Sequence, residues 1–212
     1  MIFDERQAID QARKVITERD GVIAFRTDTF YGLGADPFNR AALRRINELK
    51  GREGGKPILL VISDRSFAER FILDQSGAFA QVAEKHWPGP LTLVSKARSE
   101  VPEEITAGSG TVGVRLPDDA EVRDVVRKLG GALTATSANL AGQPPARTAR
   151  EVFDYFPSLL DMILDGGEAA GGAPSTVLDL SGPTPRLVRE GAVTRDELRK
   201  TLAGPGLELQ SF

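Results

Sequence analysis

The chain has 212 residues, 41% hydrophobic and 27% charged, with a net charge of -3, no cysteine and a single histidine. This describes one compact domain with a sizeable core, and it excludes disulfides, iron–sulfur or thiolate-zinc sites, a cysteine nucleophile and a multi-histidine metal centre. The negative charge also argues against whole-molecule attraction to nucleic acid, leaving only local clusters to consider.

The opening MIFDERQAIDQARKV carries charge where a secretory signal needs an apolar run, and no later stretch nears the roughly 18 apolar residues of a membrane span. The expectation is a cytoplasmic protein without membrane contact. Asp4 followed by Ala8, Ile9, Ala12, Val15 and Ile16, with Gly21 behind, predicts a capped amphipathic helix. VIAFR at 22–26 reads as a strand, TDTFYGLGADPFN as a turn, residues 40–49 as a helix and ILLVIS at 58–63 as a second strand, together a crossover unit.

Helical stretches at 64–72 and 76–86 precede the WPGP turn and the strand at 91–97. TVGVRLP, ending at Pro117, and ALTAT at 132–136 read as strands on either side of a helix over 119–129, and SANLAGQPPA as a polar loop. A helix at 148–156, the strand MILD, the loop GGEAAGGAP, strands STVLDL and PRLVRE, and a helix near 195–202 complete the order. Interleaved strands and helices without repeats predict one α/β domain over residues 1–203, built on a twisted mixed sheet with flanking helices, and a loose tail at 204–212.

Three tempting motifs fail on context. GSGTVG at 108–113 runs into a strand instead of a helix, so it is no dinucleotide fingerprint. GREGGKP has the wrong glycine spacing for a phosphate loop, and Pro57 stands where Ser or Thr would ligate magnesium. His86 closes a predicted helix and reads as structural, and without a nucleophile elbow or a second histidine no Ser-His-Asp arrangement exists.

What remains are polar clusters at strand ends: Thr27-Asp28-Thr29 with Tyr31, Lys50-Gly51-Arg52, Arg115, and Ser137-Ala138-Asn139. Loops at strand ends are where open α/β sheets bind ligands, and hydroxyls, amides and cations hold anions and position reactants without attacking them. Taken singly, each cluster reads more readily as a capped turn or a solvated loop than as a binding site. In the order TDTFYGLG, ELKGR, WPGPLTLV, VGVRLP, TSANLAG, PSTVLDL and VREG, the chain closely resembles the YrdC-like threonylcarbamoyl-AMP synthases, in their short single-domain form.

That resemblance implies an open fold with a concave cationic face, and an enzyme that converts L-threonine, bicarbonate and ATP, with Mg2+, to threonylcarbamoyl-adenylate and pyrophosphate. The product feeds N6-threonylcarbamoyladenosine modification of tRNA through downstream transfer proteins. Position by position, it implies threonine contacts from Thr27, Thr29, Tyr31, Arg115, Ala135 and Ser175, a nucleotide signature of Lys50, Arg52, Ser137 and Asn139 that carries catalysis, further ATP contacts from Lys56, Thr111 and Arg189, and no protein metal ligand.

The sequence departs from the family pattern at Arg26, where Pro is usual and an extra cation is expected near the site. It departs also at Val61, where many two-domain members have His, and at Pro145, where they often have a hydroxyl. GGEAAGGAP reads equally as a lid and as a plain connection. Two alternatives stay open: a carbamoyl-adenylate-forming carbamoyltransferase module, and a protein that binds double-stranded RNA or, weakly, tRNA through its basic face.

Overall fold

The computed structural model describes residues 1–51, 56–75, 77–203 and 206–210. In chain order the elements are β1 (Ile2–Asp4), α1 (Glu5–Glu18), β2 (Ile23–Arg26), β3 (Tyr31–Gly34), α2 (Arg40–Leu49), β4 (Leu60–Ile62) and a 3-10 helix (Arg65–Arg70). They continue with α3 (Gly77–His86), β5 (Leu91–Lys96), α4 (Glu103–Thr106), β6 (Thr111–Arg115), α5 (Ala120–Lys128), β7 (Ala132–Thr134) and β8 (Thr136–Ser137). The last are α6 (Ala149–Tyr155), β9 (Met162–Asp165), β10 (Thr176–Asp179), β11 (Arg186–Arg189) and α7 (Arg195–Ala203).

Short polar side chains start the helices where the sequence places them. Asp4 accepts from the Gln7 amide, Asn39 from Ala42, Asp119 from Glu121 and Val122, and Thr148 from Glu151. Ala8, Ala12, Val15 and Ile16 then bury one stripe of α1, as their spacing requires.

The mixed α/β expectation holds, with the strands divided between two mixed sheets. One has the order β1-β9-β2-β3-β8 and the other β11-β10-β5-β6-β4-β7. The expected crossover unit does not form within one sheet: β2 turns back on β3 as an antiparallel hairpin, whereas β4 lies in the second sheet between β6 and β7. The turn at 27–30 is therefore shorter than the sequence reading, because YGLG pairs in register with Ile23–Arg26. The short elements β1 and α4 were not anticipated.

ALTAT divides at Ala135. Leu133 and Thr134 pair with β4, while Thr136 and Ser137 pair with β3. One segment thus leaves the second sheet and enters the first. Thr134 locks the junction, its hydroxyl donating to the Leu33 carbonyl at 3.0 Å and accepting from the Ala35 amide at 2.9 Å.

α1 and α5 pack on Ile23, Phe25, Met162 and Leu164 of one sheet and on Val61 and Leu133 of the other. The larger core beyond runs from Tyr31 and Leu33 through Leu60, Leu91, Leu93 and Val114 to Leu198 and Leu202. His86 belongs to this framework, its Nε2 lying 2.9 Å from Thr201 Oγ1 and its pKa lowered by burial. Within the expected tail, Leu207 and Leu209 pack on the core and Gln210 bridges Arg186 at the edge of β11. No helix among the described residues is long and apolar enough to cross a membrane.

Candidate active site

A cleft of about 770 Å³ opens where the two sheets diverge. Its floor is the switch residue Ala135 with Leu59, Leu60 and Val61, and its walls are the 27–31 turn of the first sheet and β5, β6, β10 and β11 of the second. Thr27, Thr29, Tyr31, Lys56, Thr111, Arg115, Ala135, Ser137, Ser175 and Arg189 all line it. Residues spread over 163 positions (Thr27 to Arg189) are brought together because strand ends of both sheets converge there.

Thr27 shapes the turn. Its hydroxyl donates to the Phe30 carbonyl at 2.7 Å and accepts from the Thr29 amide at 3.3 Å. Tyr31 supplies wall only, since its hydroxyl turns away to the Gly167 carbonyl at 2.8 Å, and burial raises its pKa above the ordinary tyrosine value.

Arg115 ends β6 and is 6% exposed. Its Nη2 lies 3.0 Å from Asp28 Oδ1, while its Nη1 is buried without a partner. Burial lowers its pKa, the Asp28 carboxylate opposes that shift, and the neighbouring Arg189 adds to it. Across the cleft mouth, Arg189 donates through Nε and Nη2 to the Ser175 carbonyl at 3.1 and 2.7 Å. Ser175 Oγ lies 3.1 Å from Thr92 Oγ1, a cleft residue absent from the sequence reading, whose signal is a hydroxyl flanked by Leu91 and Leu93.

The nucleotide signature divides. Ser137 lines the cleft, whereas Lys50 and Asn139 are not among its lining residues. The buried Lys50 ammonium donates to the Ser137 carbonyl at 2.7 Å, to the Asn139 carbonyl, and to Asn139 Oδ1 at 2.8 Å, and that same Oδ1 accepts from Ser137 Oγ at 2.6 Å. Lys50 thus fixes the 137–139 segment through that segment's own carbonyl oxygens. Arg52 lies outside the described residues.

Among the departures, Val61 and Pro145 line the cleft but Arg26 does not. The expected extra site cation is a correction: the Arg26 guanidinium turns to Asp119 at 2.7 Å and Glu121 at 3.2 Å, on the α5 side of the hairpin. The 166–174 loop is docked against the turn, with the Gly171 amide on the Thr29 carbonyl at 2.8 Å and Glu168 paired to Arg147 at 2.8 Å.

The lining is cationic at Arg115, Arg189 and Lys56, while its carboxylate Asp179 is matched by Arg186 at 2.9 Å. Such a cleft suits anions with several oxygens. Among the described residues no group of three or more His, Cys, Asp or Glu is placed to hold a metal ion.

The family model for Sua5/YciO/YrdC proteins, described as telomere recombination, matches residues 15–191. The chain belongs to the Sua5/YciO/YrdC family. Within that family it is 36% identical over 206 residues to the threonylcarbamoyl-AMP synthase of Pyrococcus abyssi, a match covering 95% of this chain and 61% of that protein. It thus spans about three fifths of that relative's length. The threonylcarbamoyl-AMP synthase of Thiobacillus denitrificans is 37% identical over 178 residues, covering 84% of this chain and 94% of the relative. Among solved structures, P. abyssi Sua5 complexed with L-threonine superposes with a TM-score of 0.90 at 32% identity, over 99% of this chain and 62% of that one.

Proposed function

We propose that this protein is a threonylcarbamoyl-AMP synthase that joins L-threonine, bicarbonate and ATP. Threonine and bicarbonate give N-carboxythreonine and water. The new carboxylate attacks the α-phosphorus of ATP, an O–P bond forms, and pyrophosphate leaves. Magnesium enters with ATP as part of the substrate, and the cleft's donor set of hydroxyls and cations fits phosphate oxygens better than the metal itself. The product is a mixed anhydride that serves tRNA modification in the cytoplasm, through partner proteins that make the transfer.

The observation that carries this reading is Arg115, a buried guanidinium with an unpartnered Nη1 at the wall of a cationic cleft. A fixed guanidinium there suits the threonine carboxylate, and the hydroxyls of Thr29 and Ser175 stand on the same walls. Arg189, Lys56 and Thr111 face the same space and suit the triphosphate. No residue of the lining need act as a nucleophile, because positioning and charge neutralisation supply the rate.

The test is pyrophosphate release from ATP with threonine, bicarbonate and magnesium omitted in turn. The reading requires dependence on all three and poor replacement of threonine by serine. Release that ignores threonine overturns it.

A further inference from the structure

Arg115 ends β6 of the second sheet, and Asp28 lies in the β2–β3 turn of the first. The side chains are 8% and 10% exposed, so the pair is almost withdrawn from water. Arg115 Nη2 is 3.0 Å from Asp28 Oδ1 and 3.5 Å from Thr27 Oγ1. The Oδ1 contact is an ion pair without hydrogen-bond geometry, and Nη1 is left with no protein partner. Arg115 lines the cleft, whereas Asp28 does not. A buried guanidinium beside a second cation, Arg189, is strongly unfavourable unless a carboxylate opposes it, and Asp28 stands in that place.

We infer that Asp28 is a positioning residue for amino-acid recognition: from outside the cleft it holds Nη2 of Arg115, so that Nη1 remains for the carboxylate of the incoming amino acid. The inference rests on the synthase reading above. A guanidinium is a planar fork, so holding one terminal nitrogen restricts the direction of the other. Asp28 is itself held by the turn that the Thr27 hydroxyl closes onto the Phe30 carbonyl. The threonine subsite is therefore set by the hairpin of one sheet acting on a strand end of the other. Because Asp28 does not line the cleft and acts through Arg115, its influence falls on threonine and spares ATP.

The experiment compares Asp28→Glu and Asp28→Asn, each in the wild-type and Arg115→Lys backgrounds. It reads KM for threonine, KM for ATP, kcat and the thermal midpoint. Asp28→Glu keeps the charge and displaces it by one methylene, so the fold is retained. KM for threonine should rise roughly tenfold while KM for ATP stays within about twofold, and in the Arg115→Lys background the same change should add little. Asp28→Asn should raise KM for threonine further. Should it fail to fold, the Asp28→Glu cycle decides alone.

Equal changes in both KM values, or full additivity with Arg115→Lys, overturn the inference. Failure of the synthase reading shows separately, as wild-type protein that releases no pyrophosphate in response to threonine. In that event calorimetric binding of L-threonine decides: weaker binding to Asp28→Glu than to wild type supports the role, and equal or absent binding to both overturns it.

Discussion

The Arg26 guanidinium lies 2.7 Å from Asp119, and Asp119 is also the residue whose carboxylate caps α5. One carboxylate thereby ties the β2–β3 hairpin to the helix that covers both sheets. Burial pushes the Asp119 pKa up, but the Val122 and Glu121 amides and Arg26 outweigh it and hold the carboxyl below its ordinary value.

A carboxylate with a depressed folded-state pKa contributes stability that is fully present above its unfolded pKa of about 3.9 and is lost as pH falls through the folded value. Arg26→Gln should therefore lower unfolding free energy at neutral pH by about 1–2 kcal/mol. The difference from wild type should shrink below about pH 4. Urea denaturation across pH checks this. Substrate KM values should not move, since Arg26 is outside the cleft.

Lys50→Met should destabilise as well as inactivate. The buried ammonium satisfies the Ser137 and Asn139 carbonyls, and its removal strands them at a cost of about 2 kcal/mol or more. Denaturation midpoints together with initial rates at varied ATP should show both losses. A Lys50 that only met phosphate would leave the midpoint unchanged.

Arg115→Lys keeps a charge but loses the planar fork. KM for threonine should rise roughly 10- to 150-fold, the loss of a charge-assisted hydrogen bond of about 1.5–3 kcal/mol, with KM for ATP little changed. Saturation curves for each substrate decide, and equal effects on both would reject Arg115 as the threonine carboxylate anchor.

Gly131→Ala tests packing far from the chemistry. Gly131 has φ +89°, and a Cβ there would lie 2.1 Å from two Phe67 ring atoms. Positive φ and overpacking together should cost about 2 kcal/mol or more in a denaturant titration, while the folded fraction keeps its substrate KM values.

The longer helices were legible in the sequence because their signals are local. Asp4, Asn39, Asp119 and Thr148 cap within three residues, and the buried stripe of α1 follows helical spacing. Strand pairing was not. YGLG reads as turn chemistry, yet it becomes β3 because hairpin closure and the Ala146 carbonyl, which accepts from the Tyr31 amide at 2.9 Å, satisfy its backbone from far along the chain. The switch at Ala135 was equally hidden, since no residue type marks where a strand changes sheets.

For the site, the sequence by itself determined which residue types are present and, through the order of its motifs, the family to which they belong. Ten of the thirteen candidate side chains do line one cleft, because strand ends carry them there. Only the tertiary structure decided which faces those side chains take. Lys50 turned to the 137–139 segment, where three carbonyl-type oxygens satisfy its buried ammonium, and it does not line the cleft. Arg26 went to Asp119 and Glu121, two carboxylates at the start of α5 that meet its charge. Arg115 went inward because Asp28, from the other sheet, opposes its charge. Where a charged side chain finds its counter-charge depends on segments about ninety residues apart, and spacing along the chain does not encode that distance.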